Sequence, residues 1–160
     1  MVELEEIGII QTPYKKDEDV PHQAYKSNKK GKIKIKEEYE EALKDIQGFS
    51  HLILLYKFHK PIKKSIKKDK NLFLKTKNQL VNPFLDTKYH GIFSTRSPIR
   101  PNPIGLSIVK LLEKKENTLK VKEVDMLDKT PLLDIKPYVP EFDQRKKVKT
   151  GWLEKNFKNK

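Results

Sequence analysis

Residues 52–58 read Leu-Ile-Leu-Leu-Tyr-Lys-Phe, a nearly continuous apolar run in a chain of which 36% of the residues are charged. A run this short and this apolar predicts a strand that is buried on both faces. The strand should end at Phe58 and His59, after which lysines become frequent. Upstream, residues 32–36 read Lys-Ile-Lys-Ile-Lys, an alternation typical of a strand with one buried face.

Working outward, five more segments carry strand patterns and one carries a helical pattern. The strands are predicted at residues 4–10, 91–95, 104–112, 119–126 and 132–136. Residues 37–46 predict a short helix that ends at Gly48. No long amphipathic helices separate the strands, as a doubly wound fold requires. We therefore predict one domain over residues 1–160, mainly β with minor α, folded as a single-sheeted twisted β-barrel and not as a Rossmann fold.

The composition excludes several classes of protein. The 160 residues include no cysteine, which rules out disulfides, thiolate metal sites and a cysteine nucleophile. The four histidines show no HxH, HxxxH or HExxH spacing, so we expect no metal. No apolar run approaches the roughly 18 residues of a membrane helix, and residues 1–10 do not resemble a secretory signal. We expect a cytoplasmic protein with no membrane partner.

The charge balance is strongly basic, with a formal net charge of +13. Such an excess suits a polyanion such as RNA, because lysines release the counterions condensed on phosphates. A lysine-rich solvated surface has the same composition, and both interpretations stay open. The densest basic stretch, residues 60–70, is either a face that follows an RNA backbone or a solvated loop, and residues 145–149 are a second candidate for that face.

Arginine is rare, and its placement singles out one loop. Only three of the 35 basic residues are arginines, and Arg96 and Arg100 lie four residues apart. Three prolines within residues 98–103 hold this loop extended and stiff. Arg96, Arg100 and Asn102 can then share a face and form a preorganised clamp for an anion or carboxylate. The alternative is a rigid strand connection whose arginines pair with surface acids.

Motifs along the chain resemble those of the TrmO/TsaA-like family. Residues 96–107 read RSPIRPNPIGLS, which is the hallmark of that family. Other elements follow in order, namely TPY at 12–14, PHQ at 21–23, GFSHL at 48–52, FH at 58–59 and LDKTPLLDIKPY at 127–138. The resemblance covers residues 7–152. The chain departs from the pattern at His22, in the variable middle of P-x-Q, and at Lys129, which replaces a glycine and would cost about 1 kcal/mol if the turn needs a positive φ.

The resemblance implies a barrel that binds S-adenosyl-L-methionine, works as a homodimer and modifies tRNA. The implied reaction transfers a methyl group to N6 of the threonylcarbamoyladenosine beside the anticodon, in a threonine-accepting tRNA. Independently, the six glycines are scattered, so no GxGxxG loop opens a helix. Two alternatives stay open: a non-catalytic basic RNA-binding module, and a methyltransferase with a different acceptor. A pure RNA binder usually exposes aromatic side chains for stacking, whereas most aromatics here fall in strand patterns.

The resemblance also implies which residues bind the cofactor, in five segments of the chain. These residues are Gln23, Ala24, Tyr25, Phe58, His59, Arg96, Leu106, Lys122, Glu123, Val124 and Asp125. Arg96 would bind the methionyl carboxylate and Asp125 the ribose hydroxyls or the ammonium group. Phe58, Leu106 and the backbone amides of residues 122–124 would bind adenine.

Substrate-binding and catalytic residues are less clearly indicated. Arg100 and Asn102 are the candidates for binding substrate, with Arg100 meeting the threonyl carboxylate. The general base is unassigned, and Asp125, Asp128 and His59 are weak candidates. Ordinary structural roles are the competing interpretation, since strand-end histidines and turn acids are common.

Overall fold

Six antiparallel strands form a closed barrel in the part of the chain that the computed structural model describes, residues 1–22, 24–60 and 79–157. The barrel strands are β1 (Gly8–Gln11), β2 (Lys30–Ile35), β3 (His51–Lys57), β6 (Ile104–Lys115), β7 (Thr118–Lys122) and β8 (Thr130–Pro137). Their order is β1-β2-β7-β6-β3-β8, closed by pairing of β8 with β1. Two further strands, β4 (Leu80–Val81) and β5 (His90–Gly91), form a separate two-stranded sheet. The predicted β-barrel is confirmed.

Alternating side chains fill the barrel. In β2 the isoleucines Ile33 and Ile35 are buried and the lysines between them are exposed, as the alternation predicts. In β3 the side chains of Leu52, Leu54 and Tyr56 point inward, but those of the intervening residues are only half-buried. The prediction that β3 is buried on both faces is wrong, because one face of a barrel strand always lies on the outside.

The predicted helix at residues 37–46 is replaced by two 3₁₀ helices. They span Glu37–Leu43 and Ile46–Gly48. The chain is extended at Lys44 and left-handed at Asp45, with φ of 68°, which prevents one continuous helix. Leu43 is nevertheless buried in the barrel core, so the helical spacing of apolar residues marked the packed face correctly.

Several strand boundaries also differ from prediction, and the first strand, predicted at residues 4–10, is Gly8–Gln11. Residues 91–95 do not form a strand: β5 stops at Gly91, and a 3₁₀ turn over Ile92–Ser94 leaves Phe93 80% exposed. β7 stops at Lys122 because Glu123 adopts a left-handed φ of 70°. A left-handed residue cannot continue the extended ladder.

The chain divides into two compact units. The first unit, Met1–Lys63 with Asn102–Tyr138, contains the barrel. The second unit, Lys64–Pro101 with Val139–Lys160, contains β4, β5 and two four-residue helices, Pro140–Asp143 and Glu154–Phe157. The single domain over residues 1–160 stays a prediction. Within residues 1–22, 24–60 and 79–157, no helix is long and apolar enough to cross a bilayer.

Candidate functional site

His59 follows the end of β3, and one of its ring nitrogens makes no hydrogen bond to the residues that the structure describes. Its Nδ1 lies 3.4 Å from Oγ1 of Thr130, the first residue of β8. Thr130 gives its single hydroxyl proton to the Leu127 carbonyl at 2.6 Å, so the ring proton of His59 lies on Nδ1 and donates to Thr130. The other nitrogen, Nε2, is buried and has no partner among the described residues. It is therefore an acceptor available to a ligand.

The surroundings of His59 keep its ring neutral. Burial lowers the pKa of His59, and the neighbouring Lys60 ammonium lowers it further, against the opposing effect of Asp17 and Asp128. Burial favours the uncharged imidazole because the imidazolium loses hydration. At pH 7 the Nε2 lone pair is consequently present and able to accept a proton or a hydrogen bond.

A buried chain of two hydroxyl groups ends on Asp125. Tyr56 of β3 is 4% exposed, and its hydroxyl oxygen lies 2.9 Å from Oγ of Ser107 in β6. Ser107, which is 3% exposed, donates to Oδ1 of Asp125 at 2.5 Å. Burial, followed by the charge of Asp125, raises the pKa of Tyr56 well above its ordinary value, so the phenol stays protonated.

The backbone N–H groups of residues 123 and 124, which lie between β7 and Asp125, are hydrogen-bonded within the barrel. The backbone N–H groups of Glu123 and Val124 both donate to the carbonyl of Lys29, at 3.0 Å and 3.5 Å. The Val124 side chain is fully buried, and that of Lys122 is half-buried. These two amides already have a backbone partner, and the expectation that the amides of residues 122–124 bind adenine stays a prediction.

The remaining cofactor candidates of the first unit differ in exposure. Ala24 is buried, whereas Tyr25 is 61% exposed, with the Lys26 ammonium 5.8 Å from its ring centroid. Leu106 is 50% exposed because it lies on the outer face of β6, between inward-facing residues. Phe58 packs edge-on against Tyr56, with the ring centroids 5.4 Å apart. Gln23 lies outside the described residues.

The two arginines of the proline-rich loop, in the second unit, make different contacts. Arg100 donates from Nη1 to the carbonyls of Thr95 and Ser97, at 3.1 Å and 3.2 Å, and so fastens its own loop. Arg96 is exposed, and neither arginine forms an ion pair within the described part of the chain. Asn102 is exposed in the first unit. The geometry therefore leaves the Arg96 guanidinium available to an anion.

Asp128, a weak candidate for the general base, has a structural environment. Its Oδ1 accepts the backbone N–H of Thr12 at 2.9 Å, and its Oδ2 pairs with the Lys15 ammonium at 2.5 Å. Burial raises the pKa of Asp128, but the bonds to Lys15 and Thr12 outweigh burial and hold it below its ordinary value. A carboxylate so stabilised is a poor proton acceptor. Lys129 has φ of 63°, so this turn does need a positive φ.

Sequence reasoning missed three polar residues of this region and left one basic stretch untested. Tyr56 and Ser107 fell in predicted strands and Thr130 in a motif, and none of the three was given a role, although a buried tyrosine normally needs a hydrogen-bond partner. Most of the basic stretch at residues 60–70 lies outside the described residues. In the second candidate stretch, residues 145–149 are all exposed. Among the residues that the structure describes, no group of three acidic or histidine side chains could hold a metal ion.

Comparisons with known proteins show the family of the chain. Residues 9–144 match the tRNA-methyltransferase O N-terminal domain family. The chain is 50% identical over 151 residues to a probable S-adenosyl-L-methionine-binding protein of Pyrococcus abyssi, covering 94% of this chain and 75% of the relative. It is 34% identical to the tRNA (adenine(37)-N6)-methyltransferase of Escherichia coli, covering 86% of this chain and 58% of that protein.

The solved structures give the same result for the fold. A crystal structure of TrmO superposes with a TM-score of 0.74 at 30% identity, over 94% of this chain and 64% of that chain. TrmO from Pseudomonas aeruginosa superposes with a TM-score of 0.72 at 28% identity, over 95% of this chain and 62% of that chain. The chain thus spans slightly less than two thirds of these TrmO chains. By motif, family match and barrel topology, the chain belongs to the TrmO/TsaA-like family.

Proposed function

We propose that this chain is an S-adenosyl-L-methionine-dependent methyltransferase that acts on N6 of an adenosine in tRNA. The observation that carries the proposal is the family match over residues 9–144, which contains the barrel and the proline-rich loop. The relatives named above as a cofactor-binding protein and a tRNA methyltransferase support it. We further propose that the acceptor is threonylcarbamoyladenosine in a threonine-accepting tRNA, and that the enzyme is a cytoplasmic homodimer with one domain over residues 1–160.

The residues present fit this cofactor chemically. The buried Nε2 of His59 has no donor among the described residues, and its single lone pair can take one N–H or O–H group of a bound ligand. The Asp125 carboxylate suits ribose hydroxyls or the ammonium group, and the Arg96 guanidinium suits the carboxylate. Phe58 is only half-buried, and its ring is an apolar side chain of the kind that can contact a purine. When bound, the cofactor supplies an electrophilic methyl group.

The protein's main chemical task is to position the acceptor nitrogen and take its proton. The N6 lone pair is delocalised into the purine ring, so a held geometry lowers the barrier more than any single contact. Of the three candidate bases, Asp128 is held by Lys15 and Thr12. His59 is neutral with an unpartnered Nε2 among the described residues, which favours it as the group that receives the proton.

A non-catalytic RNA-binding role is the second candidate, and one observation favours RNA contact in general. Phe84, Phe93 and Phe142 are 75%, 80% and 72% exposed, so the expectation that most aromatics lie in strands does not hold for the second unit. Exposed aromatic rings can stack on unpaired bases. A tRNA methyltransferase needs such contacts as well, so exposure alone does not separate the two candidates.

The deciding experiment supplies methyl-labelled cofactor and total tRNA, then identifies the labelled nucleoside after digestion. We expect label in N6-methylated threonylcarbamoyladenosine. A parallel reaction uses tRNA from cells that cannot make the threonylcarbamoyl group. Label in a different nucleoside would replace the proposed acceptor, and tRNA binding without any transfer would favour the RNA-binding module.

A further inference from the structure

We propose that Tyr56 and Ser107 are positioning residues that hold the Asp125 carboxylate in one orientation, ready to receive a hydroxyl or ammonium donor of the bound cofactor. The inference rests on the proposed function, because that function assigns Asp125 to the cofactor. The three side chains come from different parts of the barrel: Tyr56 from β3, Ser107 from β6 and Asp125 from the segment after β7. We name them the hydroxyl relay.

The hydrogen bonds of the hydroxyl relay have one direction. An ionised carboxylate only accepts, so Ser107 donates its proton to Asp125. Ser107 then has no proton left for Tyr56, and Tyr56 must donate to the Ser107 oxygen. The raised pKa of Tyr56 keeps that donor in place through the physiological range. The Tyr56 proton therefore points at Ser107 and the Ser107 proton at Asp125, where it occupies one lone pair of Oδ1.

A glycine in β6 makes room for the Tyr56 ring of the hydroxyl relay. Gly105 lies directly opposite Tyr56 in the β3–β6 ladder. A Cβ atom at residue 105 would overlap Cε2 and Cζ of the Tyr56 ring, so only glycine lets the ring cross the ladder there. The ring then delivers its hydroxyl group to Ser107, two residues further along β6. Core filling alone would be served by phenylalanine, which has no hydroxyl.

A second buried tyrosine–serine pair in the same unit provides a matched comparison. The Tyr14 hydroxyl oxygen lies 2.8 Å from Oγ of Ser27, and Tyr14 is 8% exposed. Ser27 accepts the backbone N–H of Lys29 at 3.2 Å. In the hydrogen bonds of the described residues, that pair leads to a backbone amide, whereas the hydroxyl relay leads to a carboxylate. Comparing variants of the two pairs therefore distinguishes the effect of removing a buried hydroxyl group from the effect of losing the orientation of the carboxylate.

The test is a double-mutant cycle on binding of S-adenosylhomocysteine, measured by calorimetry. We expect Tyr56→Phe and Ser107→Ala each to weaken binding by about 2- to 10-fold, the equivalent of one hydrogen bond. In the Asp125→Ala background, Tyr56→Phe should change binding by less than about 2-fold, because its effect passes through Asp125. Tyr14→Phe should lower the thermal midpoint without changing affinity.

Two binding results would overturn the relay. One is an equal loss of affinity from Tyr56→Phe with and without Asp125, and the other is an equal loss from Tyr14→Phe. The carboxyl ¹³C resonance of Asp125 in the ligand-free protein tests the relay without the cofactor. Ser107→Ala and Tyr56→Phe should shift it and Tyr14→Phe should not; an unmoved resonance rejects the relay. A wild-type protein that binds no S-adenosylhomocysteine but shows these shifts would instead reject the proposed function.

Discussion

His59 and His90 both lie next to strand ends, and they differ in how their rings are satisfied. The His90 ring stacks on Trp152, with centroids 4.5 Å apart, and its Nε2 lies 2.8 Å from Oδ2 of Asp86. The buried Nε2 of His59 has no such partner in the described chain. A buried polar atom without a partner costs free energy unless a ligand completes it. The difference supports a structural role for His90 and the proposed ligand-binding role of His59.

The surroundings of His90 are closed around Asp86. The Asp86 side chain is 5% exposed and pairs with Lys155 at 2.6 Å, while the Thr87 backbone N–H donates to it at 2.7 Å. The bond to Lys155, followed by that to His90, lowers the pKa of Asp86. Trp152 in turn donates from Nε1 to the Ser94 carbonyl at 2.8 Å. These contacts join residues 86–94 to residues 152–155 within the second unit.

The largest effect should come from His59→Ala. If Nε2 takes the N6 proton, the methyl-transfer rate should fall by at least about 100-fold, the lower range for a general base. Single-turnover kinetics with saturating cofactor and tRNA measure this rate directly. His90→Ala is the matched control, and it should change Trp152 fluorescence while changing the transfer rate by less than about 3-fold. Similar rate losses in both variants would remove the distinction between the two histidines.

Arg96→Lys should have the next largest effect. An ammonium cannot reproduce the planar, two-pronged contact of a guanidinium, so cofactor binding should weaken by about 1–3 kcal/mol. Calorimetry with S-adenosylhomocysteine measures the change. Arg100→Lys is the control from the same loop, because Arg100 already donates to Thr95 and Ser97. Equal losses in the two variants would mean that Arg96 also serves only the loop.

Lowering the pH should destabilise the region of His59 and the region of His90 in two different pH ranges. Because the pKa of His59 is lowered in the native state, the unfolded chain binds a proton more readily than the native chain below about pH 6.5. The free energy of unfolding should therefore fall as the pH drops through that range. Methyl transfer should fall with it. The lowered pKa of Asp86 adds stability that is present above about pH 4 and lost below it. Urea unfolding from pH 8 to pH 3 should show both falls. His59→Ala should remove the first fall, and Asp86→Asn should reduce the second, to which Asp128 also contributes.

The smallest expected effect is a gain in stability from Lys129→Gly. Lys129 holds φ of 63°, a left-handed conformation that costs a side chain more than it costs glycine. We expect stabilisation of about 0.5–1 kcal/mol after the higher chain entropy of glycine is counted. Urea unfolding measures it, and cofactor affinity should stay the same because Asp128 next to it is bound to Lys15 and Thr12. A loss of cofactor affinity in Lys129→Gly would instead indicate that this turn is part of the binding site.

The sequence predicted the strands correctly where buried and exposed residues alternate. It did not predict the ends of elements where a single residue adopts a left-handed φ. The alternation at Ile33 and Ile35 identifies β2 directly. The break at Asp45 and the left-handed Glu123 carry no such signal, because neither is a glycine. The contacts that close the barrel between β1 and β8 are also invisible to periodicity, since they join residues more than a hundred positions apart.

The candidate site was predictable only through its motifs. Family resemblance indicated His59 and Asp125, whereas the orphaned nitrogen of His59 depends on a threonine hydroxyl 71 residues away. Tyr56 sits in an apolar run and looks like an ordinary core residue. Its role depends on Gly105 and Ser107, which share β6 but lie about 50 residues further along the chain. The spacing of residues along the chain predicts only local geometry, whereas the contacts of Tyr56 depend on the register between β3 and β6.

The order of strands in the barrel has a consequence for synthesis on the ribosome. β3, with the most apolar sequence of the barrel, pairs only with β6 and β8. Roughly 50 residues separate the end of β3 at Lys57 from the start of β6 at Ile104. At typical translation rates this leaves β3 without its partners for about 2–10 s after it has been made. The apolar residues 52–56 are therefore synthesised several seconds before the strands that cover them, an interval in which exposed apolar surface favours aggregation.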